Sequence, residues 1–221
     1  MDVLGRTASF LRLFSLMLLC LVLAAIPAPA QVLYSNGPIN GSTDAWTINF
    51  GYIVSDTFSL GAASTVGDFD FGVWEFPGDV LSSVDWSITA SENGGTVYGS
   101  GTASGPNLTD TLISSNQYGY DIDSINVSGL NVQLGAGTYW LNLQNAAVPS
   151  GDPVYWDENS GPSSASESAV GSIPSEAFDI PGGCGNQNGP DCGPPTPEPG
   201  SILLFGSGVL GLAGAVRRKL F

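Results

Sequence analysis

From Val84 to Ser91 the chain reads VDWSITAS, with Val84, Trp86, Ile88 and Ala90 on one parity and Asp85, Ser87, Thr89 and Ser91 on the other. An extended strand points successive side chains to opposite faces, so this spacing makes one face apolar and the other polar. The stretch therefore predicts a half-buried strand. Asn93-Gly94 follows, a pair that tolerates the positive φ of a type I′ turn, and Thr96 to Ser100 can pair back as a hairpin. The same period recurs along the chain. Trp46, Ile48 and Phe50 alternate with Thr47 and Asn49; Phe69, Phe71 and Val73 form an apolar face opposite Asp68, Asp70 and Trp74; Leu130, Val132 and Leu134 alternate with Asn131 and Gln133. Phe58 and Leu60 mark a further strand, and a turn at Gly135-Ala136-Gly137 leads into Thr138 to Asn145, with Tyr139, Leu141 and Leu143 inward. Between Ile122 and Ile125 the apolar parity switches, which predicts a bulge or kink near Asp123-Ser124.

No helical period of 3.6 competes with this pattern, and Gly, Asn and Ser fill the gaps between runs. The expected fold class is all-β, a single β-sandwich of the jelly-roll type with about eight to ten strands over residues 31–180. A segment of that length can enclose one core of its own.

Charge divides the chain differently. All five Lys and Arg residues, Arg6, Arg12, Arg217, Arg218 and Lys219, lie near the two ends; there is no His; and of the 20 acidic residues only Asp2 lies in the first thirty. The middle carries charge of one sign, which excludes nucleic acid as a partner, since nothing there attracts phosphates. Residues 1–30 are read as a secretory signal: Arg6 and Arg12 form the positive region, Leu13 to Ile26 the apolar core, and Ala28-Pro29-Ala30 a small-x-small cleavage site ahead of Gln31. Residues 181–199 are rich in Gly and Pro and read as a semi-extended stalk. Within it Cys184 and Cys192 are expected to form a disulfide outside the cytoplasm.

Residues 200–221 hold an uncharged apolar run, Ile202 to Val216, stopped by Arg217, Arg218 and Lys219, and preceded by Pro197, Glu198 and Pro199. The apolar run lowers its free energy in a bilayer, while three adjacent cations stay on the cytoplasmic side. At about 1.5 Å per residue a helix over 202–216 spans roughly 22 Å, short of the ~30 Å hydrocarbon core, so it is a marginal anchor. Pro-Glu-Pro, a short Gly/Leu-rich span and a terminal basic cluster, in that order, resemble the PEP-CTERM sorting signal. The resemblance covers about the last 25 residues. It implies exosortase as processing partner near Pro197 to Pro199, a transient inner-membrane anchor, and a cell-surface or extracellular destination in a Gram-negative bacterium that makes exopolysaccharide. The stretch LGAGTYWLNLQNA, Leu134 to Ala146, with VYWDENSG, Val154 to Gly161, is similar to a pattern of secreted β-domains carrying such tails.

Without His or Lys, the exported part has no Ser-His-Asp or Cys-His arrangement and no amine base. Carboxylate pairs such as Asp68 with Asp70, or Asp157 with Glu158, are the only catalytic candidates. Their plainer reading is as strand-face and turn acids, so the chain is read as a non-enzyme without a required cofactor. Asp157 and Glu158 are the candidates for a structural calcium ion, although no Asp-x-Asp-x-Asn-Gly loop is present. The function expected is structural or adhesive in a biofilm matrix. The alternative is a carbohydrate-binding module in which exposed Trp74, Trp140 or Trp156 stack on exopolysaccharide sugars.

Overall fold

A computed structural model describes residues 31–182. The expected signal peptide, the Cys184–Cys192 disulfide, the sorting motif and the 202–216 span lie outside the described residues. Fourteen strands and no α-helix make up the described chain. They are β1 (Gln31–Ser35), β2 (Ala45–Thr47), β3 (Ile53–Leu60), β4 (Ser64–Glu75), β5 (Ser83–Ser91), β6 (Gly94–Ser104) and β7 (Leu108–Ser115). There follow β8 (Asp121–Leu134), β9 (Gly137–Ala147), β10 (Tyr155–Asn159), β11 (Ala165–Glu167), β12 (Gly171–Ile173), β13 (Ser175–Glu176) and β14 (Phe178–Gly182).

The strands form two antiparallel sheets. One runs β12-β11-β3-β9-β5-β6; the other contains β1-β14-β4, with β8 on the far edge of β4 and β7 beyond β8. Along its near edge β4 changes partner, pairing with β14 at Phe71↔Phe178 and then with β10 at Val73↔Trp156. The inward residues of both sheets share one core, in which Phe58 of β3 meets Phe178 of β14 at 6.4 Å between ring centres and Phe69 of β4 meets Trp86 of β5 at 6.2 Å. Such edge-to-face pairs add about 0.5–1.5 kcal/mol each beyond the area they bury.

Several local expectations hold, because alternation and burial agree. Phe69, Phe71 and Val73, Leu130, Val132 and Leu134, and Tyr139, Leu141 and Leu143 are all buried. The Gly135–Gly137 turn joins β8 to β9, and the Tyr139 hydroxyl donates to the Gly135 carbonyl at 3.1 Å. The β5–β6 hairpin forms, but Glu92 and Asn93 span its tip: positive φ falls on Asn93 (40°) and Gly95 (74°), with Ser91 facing Gly94.

Three expectations need correction. The strand through Trp46 ends at Thr47, and the Tyr52 N–H closes a turn onto the Asn49 carbonyl at 3.0 Å with positive φ at Phe50 (55°) and Gly51 (89°). Phe50 is thereby turned out, 65% exposed, while Ile48 stays buried. The irregularity expected near Asp123-Ser124 falls on a neighbouring strand: β4 and β8 stay in register there, while β7 shifts between Leu112 and Ser114 opposite Asp123 and Ile122, and the β4–β8 shift lies between Val66 and Asp68, opposite the segment containing Gly129 (φ 79°). The parity switch has another cause. Ile122 and Ile125 face opposite sides of β8, and both sides are buried at that end of the sheet. The loop between β1 and β2 covers the outer side so closely that a Cβ on Gly41 would lie 2.6 Å from Ile122, and one on Gly72 2.7 Å from Ile39. The third concerns the domain edge. β14 continues through Pro181, paired with Val32, to Gly182, two residues past the expected end of the domain at Ile180. Pro181 is tolerated because β14 has β1 on one side there and no partner needing its missing N–H on the other.

Candidate functional site

At one end of the larger sheet the core-facing rows of β4 and β8 change from apolar to acidic, and the matching row of β7 carries one acid. On β4 the row runs Phe69, Phe71, Val73, Glu75; on β8 it runs Val127, Ile125, Asp123, Asp121; on β7 it runs Leu108, Asp110, Leu112. Antiparallel register sets these residues side by side, Glu75 opposite Asp121, Val73 opposite Asp123, and Asp110 opposite Ile125. Paired residues point to the same face, so the acids collect where the sandwich opens.

The loop after β4 lies against this end. The Leu81 N–H donates to Asp110 at 2.6 Å and the Gly78 N–H to Asp121 at 3.1 Å, while the Ser115 hydroxyl donates to Asp121 at 2.8 Å and the Ser150 hydroxyl to Asp79 at 2.9 Å. Between loop and strands is a cleft of about 210 Å³ lined by Gly78, Asp79, Val80, Asp110, Leu112, Asp121 and Asp123. Two of the acids are deeply buried. Glu75 is 0% exposed with neither carboxylate oxygen hydrogen-bonded, and Asp123 is 4% exposed with Oδ2 unpartnered. Burial first, then the charges of Asp110, Asp123, Asp79 and Asp121, push Glu75 up to about 8. Burial, then Asp110 and Asp121, pushes Asp123 up to about 7.

A second set of buried acids lies around β10. Asp157 of β10 accepts from the Asn40 and Gly41 N–H groups at 2.8 and 3.0 Å and from the Trp74 indole N–H at 2.6 Å. Glu158 accepts from the Trp46 indole at 2.9 Å. Both acids thus pin the β1–β2 loop and its aromatic neighbours to the sheet, and both Asp157 oxygens accept hydrogen bonds there. Nearby, Asp56 accepts from the Asn36 side-chain amide and the Glu176 N–H at 3.0 and 2.7 Å, and Glu176 is fully buried with no hydrogen bond to either carboxylate oxygen.

The three tryptophans nominated as sugar platforms fare differently. Trp156 is 0% exposed: its ring packs edge-on against Phe71 and Phe178, and its N–H donates to the Ala177 carbonyl at 2.9 Å. Trp74 is on the outer face, as its parity indicates, yet it is buried there under the β1–β2 loop and Tyr118, whose ring stacks on it at 5.7 Å. Neither can stack on a sugar. Trp140 alone of the three is partly accessible, on β9 between Thr57 and Thr89. The open aromatic surface lies elsewhere, where Tyr118 (56% exposed) and Phe76 (40%) flank Tyr120. Asp68 and Asp70 are both half-buried on the outer face of β4. Asp70 accepts from Asn126 at 2.8 Å, and burial, then Asp70, pushes Asp68 up to about 6.

Sequence reasoning missed Glu75, Asp110 and Asp123. The available signal was parity: Glu75 follows Phe69, Phe71 and Val73 at the same two-residue step.

No curated protein matches the chain. A family described as the PEP-CTERM protein-sorting motif matches residues 195–219. That span contains the Pro-Glu-Pro triplet, the apolar run and the basic residues Arg217, Arg218 and Lys219. The motif implies export, transient anchoring in the membrane and sorting by exosortase. At its C-terminal end, therefore, the chain carries a PEP-CTERM protein-sorting motif, and the acid-rich two-sheet domain of residues 31–182 is what that motif delivers.

Proposed function

We propose that this is a non-enzymatic protein of the cell surface or extracellular matrix of a Gram-negative bacterium, with a structural or adhesive role among exopolysaccharides. The observation that carries the reading is the sorting motif at 195–219 behind a domain with no cationic side chain and no histidine. The domain is a jelly roll. In support, the strand orders β1-β14-β4-β8 and β3-β9-β5-β6 interleave along the chain as the two faces of such a sandwich do. Mass spectrometry of the protein from wild-type and exosortase-deleted cells tests the sorting step. The wild-type form is expected to end near Pro197 to Pro199, and the deleted strain is expected to retain residues 202–221. Those residues still attached in wild-type cells would remove the reading.

Carbohydrate binding is a second reading, favoured by the exposed Tyr118 and Phe76 rings. A tyrosine face held open by a ring beneath it can stack on a pyranose at low entropic cost. Co-sedimentation with the host polysaccharide is then expected to be lost in Tyr118→Ala and kept in Trp140→Ala. No retention of the wild type would leave the passive structural role, and equal retention of wild type and Tyr118→Ala would remove Tyr118 as the platform.

A further inference from the structure

Buried carboxylates can be neutralised by a cationic side chain, a proton or a bound cation. The first is closed to this domain, because every charged side chain between residues 31 and 182 is an acid. The two buried clusters then differ in access. Around Glu176, Asp56 and Asp157 are themselves fully buried, beneath the Asn36 side chain and the β1–β2 loop. The Glu75 cluster instead opens into the cleft between the strands and the Phe76–Ser82 loop. Asp123 lines that cleft while 4% exposed, and its Oδ2 has no hydrogen-bond partner.

We propose that this cleft binds a calcium ion through Asp110, Asp121 and Asp123, with the carboxylate of Glu75 behind them and Asp79 at the mouth. All the side-chain donors are oxygens, the set preferred by hard cations. Among the described residues no three acidic side chains already stand as a ready-made metal cage. The ion draws the carboxylates inward, and water supplies part of its shell. Calcium tolerates that irregular, partly aqueous geometry, taking six to eight oxygens at about 2.3–2.6 Å, whereas magnesium demands a compact octahedron. The binding site also ties β4, β7 and β8 to the loop that closes this end, so binding rigidifies the edge of the larger sheet. This inference stands apart from the sorting reading, since it rests on the folded domain alone.

The test uses the full chain, purified in detergent and stripped with EGTA, titrated with CaCl₂ in a calorimeter and by thermal unfolding. One ion per chain is expected, with a rise in Tm of roughly 5–10 °C at a hundredfold excess over Kd. Asp110→Asn and Asp123→Asn are each expected to weaken binding at least tenfold, and Asp44→Asn, an exposed acid on the β1–β2 loop, to leave it unchanged. Asparagine matches the shape of a protonated aspartate, and the Leu81 N–H keeps an acceptor in Asp110→Asn. If Asp123→Asn does not fold, Asp110→Asn decides. No heat and no Tm rise in wild type, unchanged affinity in the variants, or an equal response to MgCl₂ at the same ionic strength would overturn the assignment.

Discussion

Replacing Trp156 with alanine is expected to lower the unfolding free energy by about 3–5 kcal/mol, read as a fall in the urea midpoint at unchanged slope. The magnitude follows from complete burial: the indole fills the space between Phe71 and Phe178 where β4 passes from β14 to β10. Trp156→Phe is expected to cost much less, about 1 kcal/mol for the lost hydrogen bond, because the Ala177 carbonyl keeps the Gly72 N–H at 3.1 Å. Against a typical total stability of about 5–15 kcal/mol, the alanine variant stands near the edge of folding. Loss of sugar retention in that variant would therefore report unfolding, and a stable Trp156→Ala protein would contradict the packing described.

Glu176→Gln is expected to make the domain more stable at neutral pH and to reduce the decline of stability with rising pH. Glu176 is held well above its ordinary value by burial first, and then by Asp56, Glu158, Asp157 and Asp44. The folded chain therefore keeps a proton that the unfolded chain releases near its ordinary pKa of about 4.5. The stabilising contribution is fully present below that value and is lost as pH rises toward the folded value. Within that window the slope is about 1.4 kcal/mol per pH unit for one proton. Asp56, pushed up to about 6, and Asp68, also about 6, act in the same direction, so the variant flattens part of the slope and leaves the rest. Urea melts at pH 5 and pH 7 of wild type and variant, with EGTA present, measure the difference. Equal pH slopes for the two proteins would show that Glu176 ionises freely in the fold.

The two-sheet architecture was legible because alternation is a property of single strands. Val84, Trp86 and Ile88, or Tyr139, Leu141 and Leu143, declare a face without reference to any partner. Phe50 was misread for the opposite reason: its apolar parity fits a strand, but the hydrogen bond from Tyr52 to Asn49 puts it in a turn. Trp74 shows the limit most clearly. Its parity correctly sets it on the outer face, and outer was equated with exposed, yet a loop more than thirty residues upstream and Tyr118 both cover it. The acids at the open end were invisible for a related reason. Glu75, Asp110 and Asp123 come from three strands, and only the β4–β8 and β7–β8 registers bring them to one end of the sheet.

What the chain's order of residues determined by itself was the delivery address, the strand-rich character, and the absence of any internal countercharge for its acids. These are local or additive properties, readable without knowing which segments meet. Tertiary structure alone decided which carboxylates lose water and which aromatic rings keep it, because burial on a sheet's outer face depends on segments remote in the chain that fold back across it.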